Sequence, residues 1–177
     1  MAAVEAGAEF VLGIDVVDRY LEQAEFIREA RGHKNLEFRN VDVYDLTQET
    51  VGTFDVVLCF GILYHLEDPI RGMKAMAALA THAILVDTYL MNPRYVGRFL
   101  RKYSLWKMQV VGEREPAGVT TNLWRTRQSV QFAPTERSVL DLLAFLGFGR
   151  VEFLSPNEKG LEIRYYKRNR GTFLGVR

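Results

Sequence analysis

The sequence has a single cysteine, Cys59, which excludes an internal disulfide and any zinc site built on clustered thiolates. It also lacks a run long enough to span a bilayer. Val56 to Leu66 and the stretch around Ala75 to Ala80 are too short or too interrupted, so no membrane partner is expected. The start, MAAVEAGAEF, carries acids where a secretory signal carries bases, and a cytoplasmic location is the expectation. No G-x-G-x-x-G motif occurs, and Gly147-x-Gly149 follows a helical pattern and reads as a turn. His33 and His82 have no neighbours at metal-ligand spacing, and no Ser or Cys forms a nucleophile elbow, so no metal site is expected. Internal repeats and low-complexity tracts are absent.

What is present suits an ordinary globular chain: 177 residues, 48% apolar and 25% charged, enough for one sizeable core. The net charge of +1 hides an uneven distribution. Residues 1–91 hold 15 acids against 7 Lys/Arg, while residues 92–128 hold 2 acids against 8 Lys/Arg. Residues 129–158 carry 4 acids and 2 bases, and residues 159–177 carry 1 acid and 6 bases. Two basic segments after an acidic half are either surfaces for an anionic partner or simply solvated.

The first half alternates short apolar runs with helical periodicity, the pattern of βα units on a parallel sheet. Phe10–Val16, Leu36–Val41, Phe54–Phe60 and Ala83–Tyr89 read as strands, the first and third as buried ones. DRYLEQAEFIREAR and Pro69–Thr81 read as helices, the second with Ile70, Met73, Met76, Ala77 and Ala80 on one face. Residues 90–130 break the pattern as a basic, aromatic insertion, with a helix expected over Arg94–Met108 and a loop over Gly112–Thr121. Thr135 then caps a helix with Val139, Leu142, Leu143 and Leu146 on its apolar stripe, stopped at Gly147. Val151–Leu154 and Leu161–Tyr166 read as a C-terminal antiparallel hairpin, followed by a short extended segment at Thr172–Val176. Nothing resembles an interdomain linker, so residues 1–177 are expected to form one domain.

Asp15 closes FVLGID at the carboxyl edge of the sheet, where α/β proteins bind ligands. A carboxylate there accepts both ribose hydroxyls of a nucleoside, or, with Asp18 as the other candidate, caps the next helix. Asp42 follows the neighbouring strand by the same rule; it can accept from an adenine amino group beside the amide of Val43, or form a turn. Tyr64 and His65, after FDVVLCFGIL, are the candidate catalytic groups, His65 as a general base or else as a loop anchor. In the insertion, Arg94, Arg98 and Arg125 with Trp106 and Trp124 offer cations for phosphate and rings for stacking, unless the aromatics are core.

GIDVVDRYLEQA, NVDVYDL, FDVVLCFGILYHLEDP and PTERSVLDLLAFLGFGRVEFL, in this order and spacing, resemble the class I S-adenosylmethionine-dependent methyltransferases. The resemblance covers most of residues 4–91 and 132–166. It implies a Rossmann-like α/β fold, mostly parallel, with helices on both faces of the sheet, and S-adenosylmethionine as cofactor. It assigns Asp15 to the ribose, Val16 to packing on adenine, Asp42 and Val43 to the adenine edge, and Phe60 and Gly61 to the methionine part. It implies a methyl acceptor, a small molecule or RNA, held under the insertion. GILYH followed by a basic segment is also similar to the transferase that carboxymethylates the tRNA wobble uridine. The family's first strand and glycine-rich loop have no counterpart here, since MAAVEAGAE matches only the end of the helix that follows them. Two other readings stay open: a non-catalytic module on the same fold, and a nicotinamide-dependent oxidoreductase, whose ribose also binds a strand-end Asp. An oligomer is compatible with all of them.

Overall fold

A computed structural model of the chain describes residues 1–92, 97, 100, 102–112, 128–154 and 169–177. A short helix α1 (Ala2–Glu5) precedes β1 (Val11–Asp15), α2 (Asp18–Ala30) and β2 (Leu36–Asn40). A 3-10 turn at Val43–Asp45 and α3 (Gln48–Val51) lead to β3 (Phe54–Phe60), a second 3-10 turn at Leu63–His65 and α4 (Pro69–Leu79). β4 (Ala80–Tyr89) follows directly, then β5 (Trp106–Gly112), β6 (Gln128–Pro134), α5 (Glu136–Phe145), β7 (Arg150–Leu154) and β8 (Arg170–Val176). None of the described helices is long and apolar enough to cross a membrane.

The strands form three hydrogen-bonded groups: β1-β2, β3-β4-β8-β7 and β5-β6. β1 with β2 and β3 with β4 are parallel, and the helical crossovers foreseen in the sequence make this possible. The pairs β4-β8, β7-β8 and β5-β6 are antiparallel, so the described pairings are more mixed than the mostly parallel sheet expected. β7 pairs with β8, and Leu161–Tyr166, the partner expected for it, lies outside the described residues. The segment expected only as a short extension is thus an inner strand, with Phe173 fully buried.

One face of the four-stranded sheet carries the core. Cys59, Val86 and Phe173 are register neighbours on β3, β4 and β8, and all three are fully buried. Met73 and Met76 of α4 and Val139 and Leu143 of α5 pack into the same cluster. Burial pushes the Cys59 thiol up to about 12, as a small core residue requires. On the opposite face, β3 is open among the described residues: Val56, Leu58 and Phe60 are each about half exposed. Full burial of β3, as the sequence suggested, is therefore not found among the described residues. Periodicity measures how apolar a strand is, and the covering layer has to come from elsewhere in the chain.

Residues 106–112, partly expected as the end of a basic helix, are a strand instead. The alternation Trp-Lys-Met-Gln-Val suits a ribbon whose two sides face different surroundings. Its partner β6 is a strand the sequence reading missed. Thr135 caps α5 as expected, its hydroxyl accepting from the Ser138 amide. α4 ends at Leu79, two residues early, because β4 begins at Ala80.

Candidate functional site

The carboxyl ends of β1, β2, β3 and β4 place the candidate groups. Asp15 pairs with Asn40 in the parallel register, and the Val41 amide donates to the Asp15 carbonyl at 3.2 Å. Asp15 and Asp42 therefore stand at adjacent strand ends, as the sequence suggested. Asp15 Oδ1 accepts from the Val17 amide at 2.9 Å, which fixes the carboxylate at the mouth of the sheet. The N-cap of α2 is Val17, so neither Asp15 nor Asp18 serves as cap. Asp42 Oδ1 accepts from the Tyr44 amide at 2.9 Å and caps the 3-10 turn. The Val43 side chain is in the core, 5% exposed, and only its backbone is left for a ligand. Val16 is half-buried beside Asp15.

At the end of β3, Gly61 takes φ +73, a left-handed conformation that favours glycine, and its amide donates to the Asp87 carbonyl at 3.0 Å. A Cβ at Gly61 would lie 3.7 Å from Arg170 Nη2 and 3.9 Å from the Tyr64 hydroxyl. Phe60 next to it is 54% exposed. Tyr64 and His65 sit in the Leu63–His65 turn, their rings 4.0 Å apart, and Tyr64 meets the Tyr89 ring edge-on at 4.5 Å. Burial raises the Tyr64 phenol above the usual tyrosine range, with the Arg170 guanidinium pulling the other way. Tyr64 is therefore a neutral hydrogen-bonding group near pH 7, not a base.

The sequence reading missed a buried network beneath these groups. Arg170 Nε and Nη2 both reach Asp87 Oδ1, at 2.7 and 2.5 Å, and the Thr172 hydroxyl donates to Asp87 Oδ2 at 3.0 Å. The Arg170 guanidinium lies 5.2 Å from the Tyr89 ring centroid. One signal was available: an acid inside AILVDTY must be matched by a partner if that strand is buried.

Of the insertion residues, Trp106 is half-buried, packs on the core cluster and meets Phe132 edge-on at 6.4 Å. Its ring is a packing element rather than an open stacking platform. Arg94, Arg98, Trp124 and Arg125 lie outside the described residues. Among the described residues no group of three His, Cys, Asp or Glu is placed to hold a metal ion.

The chain is similar to ubiquinone biosynthesis O-methyltransferase of Acinetobacter baylyi, 33% identical over 86 residues, covering 48% of this chain and 36% of that protein. It is also similar to tRNA U34 carboxymethyltransferase of Wolinella succinogenes, 31% identical over 111 residues, 62% of this chain and 33% of that one. The chain thus spans about a third of the length of these curated relatives. Among solved structures, the N-terminal domain of EvdMO1 with SAH bound superposes with a TM-score of 0.68 at 23% identity, covering 99% of this chain and 68% of that one. Magnesium protoporphyrin IX methyltransferase from Synechocystis with bound SAH gives 0.60 at 19% identity, covering 98% and 66%. These likenesses show a Rossmann-like α/β methyltransferase fold with parallel and antiparallel strand pairs. The family model described as a methyltransferase domain matches residues 1–90, half of the sequence, and the chain belongs to that family.

Proposed function

We propose that this chain carries out S-adenosylmethionine-dependent methyl transfer to a small molecule or an RNA. The observation that carries the reading is the pair of carboxylates, Asp15 and Asp42, at the carboxyl ends of two hydrogen-bonded parallel strands. Such a pair fits a nucleoside: Asp15 accepts from the ribose hydroxyls, and Asp42 from the adenine amino group beside the Val43 amide. Val16 supplies an apolar wall for the ring. Phe60 and Gly61 border the methionine end, where the left-handed turn leaves room for a ligand to approach the backbone. The relatives are named as methyltransferases, and solved structures of this fold contain SAH, which supports the same donor.

When bound, the cofactor would supply an electrophilic methyl group on a positive sulfur, with the neutral thioether as its leaving group. The protein's task is to hold donor and acceptor in line, which accounts for most of the acceleration in such a displacement. Tyr64 orients the acceptor by hydrogen bonding, and His65 can receive the proton the acceptor gives up. The basic character of residues 92–128 suits an anionic acceptor, and residues 1–177 act as one domain.

Calorimetric titration of S-adenosylhomocysteine tests the donor assignment. Binding that falls at least tenfold in Asp15→Ala is expected, a loss of about 1.4 kcal/mol or more. No binding by the folded chain, nor by a form extended with a strand and glycine-rich loop, would overturn it.

A further inference from the structure

A guanidinium offers only hydrogen-bond donors, so whatever Arg170 bonds must accept from it. Its first partner is Asp87, whose Oδ1 takes both Nε and Nη2 while Thr172 donates to Oδ2. A doubly bonded carboxylate fixes the end of this long side chain in one place, where β8 runs beside the end of β4. Arg170 Nη2 and the Tyr64 hydroxyl then stand 3.7 and 3.9 Å from the point where a Cβ on Gly61 would lie. The guanidinium also donates to the Tyr64 hydroxyl, and both groups lie against the Tyr89 ring.

Asp87 serves the same place twice. Its main-chain oxygen accepts the Gly61 amide and its carboxylate accepts Arg170, so one residue of β4 ties the left-handed turn after β3 to the cation that reaches Tyr64. In the bond between Arg170 and Tyr64 the phenol oxygen is the acceptor, which leaves its own proton to be donated elsewhere. A cation on the oxygen also makes that proton a stronger donor. Tyr64 borders a small space of about 80 Å³ with Gln109, Gln131 and Phe132, where a ligand atom carrying a lone pair can meet it.

We infer that Arg170, anchored by Asp87, is a positioning residue of the transfer site: it holds the Tyr64 hydroxyl beside the Gly61 turn and sets it to donate toward the ligand. What the site transfers rests on the methyl-transfer reading, whereas the hold on Tyr64 needs no ligand. The groups that face the phenol are Arg170, Tyr89 and Asp87, with the His65 ring 4.0 Å from the tyrosine ring. Of the first three, Arg170 favours ionisation of the phenol, and Tyr89 and Asp87 oppose it.

Difluorotyrosine placed at position 64 of the full chain, followed by fluorine NMR, tests this, because the fluorinated phenol ionises near neutrality. Asp87→Asn and Asp87→Asn/Arg170→Gln both lack the carboxylate, so the difference between them reports Arg170 alone. The phenol should ionise about one pH unit higher in the double variant. Arg170→Lys keeps a cation beside Asp87 but loses the planar fork, and should give a smaller shift in the same direction relative to the unaltered chain. It decides the matter if circular dichroism shows the double variant unfolded. Phenols that titrate alike in all of these proteins overturn the inference and leave Arg170 as the partner of Asp87 alone. S-adenosylhomocysteine added to the otherwise unaltered chain should move the fluorine signal, and binding that leaves the signal in place also overturns it. Absence of binding, with the Arg170 dependence intact, defeats the donor assignment and leaves the hold on Tyr64 standing.

Discussion

Asp87 sits in β4 with 7% of its side chain exposed, and its partner Arg170 in β8 with 19%. Charges this far from water are tolerated only as a matched set, and here the carboxylate accepts from Arg170 and Thr172 while the guanidinium also lies near Tyr89. Removing one member leaves the other stranded. Asp87→Ala should therefore cost about 3–5 kcal/mol in urea unfolding, and adding Arg170→Leu should recover part of that loss. A cost below about 1 kcal/mol would show that solvent reaches the guanidinium. At this scale the sequence was half legible. Asp15 and Asp42 could be read because each closes a strand, a local signal. Arg170 could not, since its partner is 83 positions away and nothing in RNRGTFL marks it as a buried cation.

Single elements were legible where their own chemistry decides them. β3 spans the residues its apolar run indicated, and α5 starts where Thr135 can cap it. That cap does more than end a helix. The Thr135 hydroxyl accepts from the Leu105 amide at 3.2 Å and donates to the Tyr103 carbonyl at 2.9 Å, tying the approach to β5 against α5. Thr135→Ala should thus exceed an ordinary cap deletion and cost about 2 kcal/mol in thermal or urea melts, because a half-buried amide also loses its acceptor. Thr135→Ser, which keeps the hydroxyl, should retain most of the stability. A loss near 0.5 kcal/mol in Thr135→Ala would mean water replaces those bonds. β6 and the β7-β8 pairing were not legible. QSVQFAP carries a proline and two glutamines, weak strand signals, and becomes a strand by lying beside β5. β8 read only as a short extended segment, and its pairing with both β4 and β7 appears only in the fold.

At the scale of the whole molecule, the uneven covering of the sheet has a measurable consequence. Among the described residues β3 is the outermost strand of its sheet and its outer edge has no strand beside it, and Val56, Leu58 and Phe60 line the open face there. FDVVLCF read as a buried strand because it is a nearly continuous apolar run, yet only Cys59 among its seven residues is fully buried. Natural sheets cover or charge such an edge, and an apolar one is a template for association. Fully covering an aliphatic or aromatic side chain is worth about 1.5–3 kcal/mol, so three half-exposed ones hold enough free energy to drive contact between copies. The chain should sediment as a monomer at low concentration and as larger species as concentration rises. Leu58→Lys, which places a charge at the centre of the face without touching the core cluster, should restore the monomer while leaving circular dichroism unchanged. Supplying a covering strand and helix by an N-terminal extension should do the same. A wild-type chain that stays monomeric throughout would mean that this face is already covered in solution.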